Sequence, residues 1–191
     1  MTSKYLDRIL SWLKREKKKA NVLVFPKSLF PHVVEMLKGQ SGIAYISIEN
    51  TPECAKYYNE AELGDFENSH YLPSGPGVLN LNFDDVGRKN GDPDTKNWNG
   101  HVFRSINEEE ADQAVEFIEN HLGEQFIVHC KAGVSRSQAF ARFILDCYPE
   151  YYETCPENEE NPCYTPNVDV LSKLKRAYYR IHGFPFEEEG K

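Results

Sequence analysis

The sequence predicts an α/β fold, a mostly parallel central sheet of about four to five strands flanked by helices. Short apolar runs such as Val22-Leu23-Val24-Phe25 and Phe126-Ile127-Val128 read as buried strands. Between them lie segments whose apolar residues recur at helical spacing, and this alternation argues for a parallel sheet covered on both faces. A chain of 191 residues with 40% hydrophobic content is long and apolar enough for one domain with a sizeable core.

Taken in order, residues 3–19 read as a helix with Leu6, Ile9, Leu10 and Leu13 in a stripe and Tyr5 and Trp12 beside it. Lys14, Arg15, Lys17, Lys18 and Lys19 load its C-terminal end, where cations suit the helix dipole. This basic helix is expected to pack on the body; a membrane surface or an acidic partner is the alternative contact. Asn21–Phe25 is the first strand, Ser28–Leu37 a helix carrying Val33, Val34 and Leu37, and Ile43–Ile48 a second strand. From Glu49 to Gly77 the pattern breaks down, apart from a short helix over Pro52–Tyr58, and Pro-Ser-Gly-Pro-Gly at 73–77 is a turn cluster. Val78–Phe83 alternates as a strand, and a polar, glycine-containing loop is expected from Asp84 to about Ile106.

Asn107 followed by Glu110 reads as a capping box, opening a helix with Ala111, Ala114, Val115, Ile118 and Leu122 on its buried face. Gln125–Val128 is the next strand, and the helix after it carries Ala139, Phe140, Phe143, Ile144 and Cys147. A tyrosine- and glutamate-rich loop is expected over 149–166, with Tyr148, Tyr151, Tyr152 and Tyr164 read as packing residues and the lining of a substrate groove as the alternative. Pro166-Asn167 opens a last helix, with Val170, Leu171, Leu174, Ala177, Tyr178 and Ile181 as its apolar face; residues 184–191 read as a frayed tail.

Composition limits the function classes. The net charge of −8 is uneven: residues 1–20 carry +5, so the rest carries −13, and an acidic body disfavours nucleic-acid binding. No apolar run reaches the length of a membrane span and the N-terminus lacks the apolar core of a secretory signal, so the expected location is the cytoplasm. Five cysteines, an odd number, lack the spacing of a disulfide framework; Cys155 and Cys163 are expected as loop thiols, with pairing as the alternative. No ligand spacing suggests zinc, and no metal or organic cofactor is expected.

The chemistry concentrates at Val128-His129-Cys130-Lys131-Ala132-Gly133-Val134-Ser135-Arg136-Ser137. A strand delivers Cys130 to a tight loop that runs into a helix N-terminus. That geometry gathers the backbone N–H groups of residues 131–136 into an anion-binding concavity. A cysteine at its floor sits in a positive field and becomes a thiolate near neutral pH. Arg136 adds a planar fork matched to two phosphate oxygens, and Gly133 permits the backbone turn. The Ser137 hydroxyl can donate to the sulfur. A nucleophile, an oxyanion cradle and a clamp together predict phosphoryl transfer through a phosphocysteine. A general acid must then stand opposite Cys130 to protonate the leaving oxygen.

His129-Cys130-x-x-Gly133-x-Ser135-Arg136-Ser137 resembles the active-site signature of the cysteine-dependent protein tyrosine phosphatases in their small dual-specificity form. The resemblance is tight over 128–137, extends loosely over 78–183, and implies that superfamily's fold and hydrolysis of a phosphorylated protein or peptide. It implies an acid on the loop after the preceding strand, which aligns best with Asp85, then Asp84, with Asp92 and Asp94 next. It gives Ser137 a part in the second step, Ser135 a role bracing the loop, and His129 a supporting role behind the sulfur. Asn167 resembles a position that bonds the phosphate loop; a simple helix cap is the other reading. Lys131 at the rim occurs in enzymes of inositol phospholipids, but Val134 stands where these have a second basic residue. The rival readings are a lipid or RNA 5′-phosphatase, a phosphoprotein-binding module without turnover, and a sulfur or arsenate transfer enzyme.

Overall fold

The computed structural model describes residues 19–57, 70–87, 95–153 and 165–185. Its centre is a five-stranded sheet of β1 (Ala20–Pro26), β2 (Ile43–Glu49), β3 (Val78–Asn82), β6 (Gln125–Cys130) and β7 (Tyr152–Glu153). The order is β3-β2-β6-β1-β7, and every pairing is parallel. Burial follows position. β1 and β6, inside the sheet, are buried at nearly every residue, whereas β3 at the edge alternates as the sequence predicts.

Five helices complete the described fold: α1 (Phe30–Leu37), α2 (Pro52–Tyr57), α3 (Glu108–Asn120), α4 (Arg136–Cys147) and α5 (Val168–Ile181). Strand alternation sends Val22, Val24, Phe126, Val128 and Cys130 to the face covered by α3, α4 and α5. Leu23, Phe25 and Ile127 go to the other face, under Phe30, Val33, Val34 and Leu37 of α1. The capping box of α3 is present in both directions, Glu110 N donating to Asn107 Oδ1 at 2.8 Å and Asn107 N to Glu110 Oε2 at 2.9 Å.

Four expectations need correction. The stretch expected as a loop over Asp84–Ile106 holds an antiparallel hairpin, β4 (Thr95–Trp98) and β5 (His101–Arg104). Its turn is Asn99-Gly100, both at positive φ (50° and 81°), the pairing that a two-residue hairpin turn demands. The loop expected over 149–166 contains β7, whose two residues pair with Ala20 and Asn21. Ile181, expected on the apolar face of the last helix, is exposed. Tyr148 and Tyr152 are buried as packing residues and Tyr151 is exposed. The N-terminal helix, the tail beyond 185, Tyr164, Cys155, Cys163, Asp92 and Asp94 lie outside the described residues. No helix among the described residues is long and apolar enough to cross a membrane.

Candidate active site

Cys130 ends the middle strand of a parallel sheet, where the strand C-termini open onto a crevice. The crevice is a pocket of about 590 Å³ lined by the loop residues Cys130, Lys131, Ala132, Val134, Ser135 and Arg136. Asp84, Asp85 and Val86 from the chain after β3 face them, with Asn50, Cys54, Tyr57, Lys96 and Phe103. The loop is held from several sides. Lys27 N donates to Cys130 O at 2.9 Å, Gln138 Nε2 to Gly133 O at 3.1 Å, and Asn167 N to Ser135 O at 3.2 Å. Gly133 sits at φ +71°, and a Cβ there would lie 2.8 Å from Pro26 N and 2.9 Å from Phe25 C. Only glycine fits.

The Cys130 sulfur lies 3.1 Å from Ser137 Oγ. Burial by itself would push the thiol up. The Arg136 guanidinium, the Ser137 hydroxyl and the backbone N–H groups of Ser137 and Gly133 outweigh it and hold the thiol below its ordinary value. Arg136 is itself buried, its Nη1 donating to Phe83 O at 2.5 Å and to Glu49 O at 3.3 Å, the carbonyls that close β2 and follow β3. These bonds fix the guanidinium at the pocket that Cys130 also lines. His129 projects to the opposite face of the sheet, its ring tilted by 35° against Phe30 at 4.0 Å between centroids. Burial pushes its imidazole down to about 3, so the ring is neutral.

The two adjacent aspartates do different things. Asp84 is buried and its carboxylate accepts from Thr51 N (2.9 Å), Thr51 Oγ1 (2.7 Å) and Arg104 N (3.0 Å), which ties the chain after β2 to β5. Asp85 is only partly buried at the pocket wall, and its Oδ1 accepts from Ser135 Oγ at 2.7 Å and Asn167 Nδ2 at 2.9 Å. Ser135, expected to brace the loop, thus reaches across to the facing chain. Asn167 caps α5, its Oδ1 accepting from Val170 N at 3.0 Å; its bond to the phosphate loop is made by its backbone N–H, whereas its side-chain amide holds Asp85 and Val86 O of the facing chain.

No family model and no curated protein matches this chain. Among solved structures it is similar to the crystal structure of human tyrosine phosphatase-like serine/threonine/tyrosine-interacting protein. The identity is 21%, over 84% of this chain and 92% of that one, with a TM-score of 0.44. A likeness at that level says nothing about activity.

Several residues in and around the pocket escaped the sequence reading. Glu49 ends β2 and pairs with Lys27 at 2.8 Å; burial nevertheless pushes its carboxyl up, against the pull of Lys27. Its place at the C-terminal end of a parallel strand beside β6 was the signal that could have found it. Tyr57 and Phe103 make an aromatic wall, rings 5.5 Å apart and perpendicular, with Lys96 on the same hairpin. The Asn99-Gly100 turn is the signal for that wall.

Proposed function

We propose that this chain is a cysteine-dependent phosphatase of the dual-specificity type, hydrolysing phosphotyrosine, and phosphoserine or phosphothreonine, in protein substrates through a phosphocysteine. The observation that carries this is the Cys130 thiol held down by buried Arg136 and by Ser137 at 3.1 Å, facing a carboxylate across one pocket.

The ester's phosphoryl oxygens rest against the backbone N–H groups of residues 131–136 and the Arg136 fork. The Cys130 thiolate attacks phosphorus; an S–P bond forms as the P–O bond to the leaving oxygen breaks. Asp85 delivers a proton to that oxygen from Oδ2, because Oδ1 is occupied as an acceptor from Ser135 and Asn167. In the second step the Asp85 carboxylate takes a proton from water, whose oxygen attacks phosphorus. The S–P bond breaks, phosphate leaves, and the departing thiolate is stabilised by the Ser137 hydroxyl. The working setting is a reducing one, such as the cytoplasm, since the thiolate is lost on oxidation.

The test is phosphate release from an aryl phosphate. Cys130→Ser is expected to bring it to background. Asp85→Asn is expected to slow it by about 10²–10⁴-fold, most severely with poor leaving groups. Full activity in Cys130→Ser rejects the mechanism, and an Asp85→Asn enzyme indifferent to the leaving group rejects the acid. A phosphoinositide substrate is the second reading, favoured by Lys96 entering the pocket that Lys131 borders. Initial rates on phosphotyrosine peptides, phosphothreonine peptides and inositol phosphates separate the two.

A further inference from the structure

Behind the sulfur, on the α1 face of the sheet, three hydrogen bonds run in line. Asn82 Oδ1 meets His70 Nε2 at 3.0 Å, His70 Nδ1 meets Ser47 Oγ at 2.7 Å, and Ser47 Oγ meets His129 Nε2 at 2.7 Å. The line joins β3, β2 and β6 and ends on the residue before the nucleophile. Its polarity is fixed at the far end. Asn82 Nδ2 donates to Asn50 O at 3.3 Å, and a carbonyl can only accept, so Asn82 Oδ1 faces His70 as an acceptor. His70 Nε2 must therefore carry a hydrogen.

From there the proton count of His70 dictates the rest. With His70 neutral, Nδ1 is a lone pair and Ser47 donates its single hydroxyl hydrogen to it. Ser47 Oγ then accepts from His129, which must hold its hydrogen on Nε2. The His129 Nδ1 atom is left a bare lone pair, and it is the buried His129 nitrogen without a hydrogen-bond partner. With His70 charged, Nδ1–H donates to Ser47. The serine hydrogen must turn to His129 Nε2, and the His129 hydrogen must stand on Nδ1. The Cys130 backbone favours a proton on this ring.

We propose that His70 and Ser47 are positioning residues that set the tautomer of His129, and through it the surroundings of Cys130. One proton enters in the change. Formally the Ser47 proton passes to His70, the His129 Nε2 proton passes to Ser47, and the proton from solvent ends on His129 Nδ1. His129 is neutral in both states. Among the described residues, charged groups bear on the line from several elements. Glu49, at the end of β2, faces His70; Lys27 beyond β1 and Arg136 on α4 bear on His129. The proposal deepens the reading of Cys130 as the nucleophile, but the ring spectra below report on it whether or not the chain turns over a phosphate ester.

The test is a pH titration of the native chain followed by the nitrogen and carbon resonances of the two imidazoles. The His129 pattern is expected to move from Nε2–H to Nδ1–H at the midpoint at which His70 takes up its proton. Ser47→Ala should break the coincidence, and His70→Gln, which cannot ionise, should hold His129 in one tautomer throughout. Alkylation of Cys130 should show a second inflection at the His70 midpoint in the native chain, absent from both variants. One His129 tautomer on both sides of the His70 midpoint in the native chain overturns the proposal, as does an unchanged alkylation profile in folded Ser47→Ala.

Discussion

Asp84 and Asp85 are neighbours in sequence and sit in different surroundings, one tied into the fold and one at the pocket wall. Asp84 faces three donors away from water, so Asp84→Ala strands the N–H groups of Thr51 and Arg104 and the Thr51 hydroxyl. Stranded buried groups of this kind cost about 1–3 kcal/mol each. Asp84→Ala should therefore lower the denaturant midpoint substantially, while the Cys130 thiol in the remaining folded fraction stays reactive. Asp85→Asn should do the reverse, with an unchanged midpoint and slow turnover. Equal midpoints in the two variants would refute this division of labour. The sequence could rank these residues through a resemblance but could not explain the ranking, because the partners Thr51, Arg104, Ser135 and Asn167 are brought in from four separate segments. For Cys130, Arg136 and Ser137 the case is different. They lie within one strand–loop–helix stretch, so local geometry alone assembles them.

The hairpin shows what an element adds. β4 and β5 bring Lys96 and Phe103 to the pocket and set Phe103 against Tyr57 of α2. Asn99 and Gly100 both occupy the left-handed region, where a Cβ-bearing residue other than Asn or Asp is strained by about 1–2 kcal/mol. Replacing both by Ala should loosen the hairpin and raise KM for aryl phosphates. Cys130 alkylation should be unchanged, because Arg136, Ser137 and Gly133, which hold the thiol down, all lie off the hairpin. A fall in alkylation rate equal to the fall in kcat/KM would mean that the hairpin serves the loop instead of the substrate. The strands with long apolar runs and the capped helix α3 were legible in the sequence. The hairpin was not, since its strands are short and largely polar, and β7 has only two residues whose pairing depends on β1.

Across the whole molecule, the sheet sends the proposed nucleophile to one face and the histidine before it to the other. Cys130 points to the α3–α4–α5 side and His129 to the α1 side, so the cost of burying an imidazole falls on the fold. The neutral His129 ring is held near a pKa of about 3, against an unfolded value of about 6.5. Because the folded value is depressed, its contribution is fully present above about 6.5 and is lost as pH falls from there toward about 3. The unfolded chain binds the proton first, at up to about 1.4 kcal/mol per pH unit. Unfolding free energy measured from pH 7 to pH 4 should show this slope, and His129→Gln should flatten it. An equally steep slope in the variant would place the acid sensitivity elsewhere.

The most direct measurement is a rapid acid quench of the chain mixed with an aryl phosphate, followed by intact-mass and peptide analysis. With Ser137→Ala, whose second step should be slowed, the account predicts one phosphoryl group carried on Cys130, absent from Cys130→Ser. Rapid phosphate release with no phosphorylated Cys130 at any quench time, in the native chain and in Ser137→Ala alike, would contradict it.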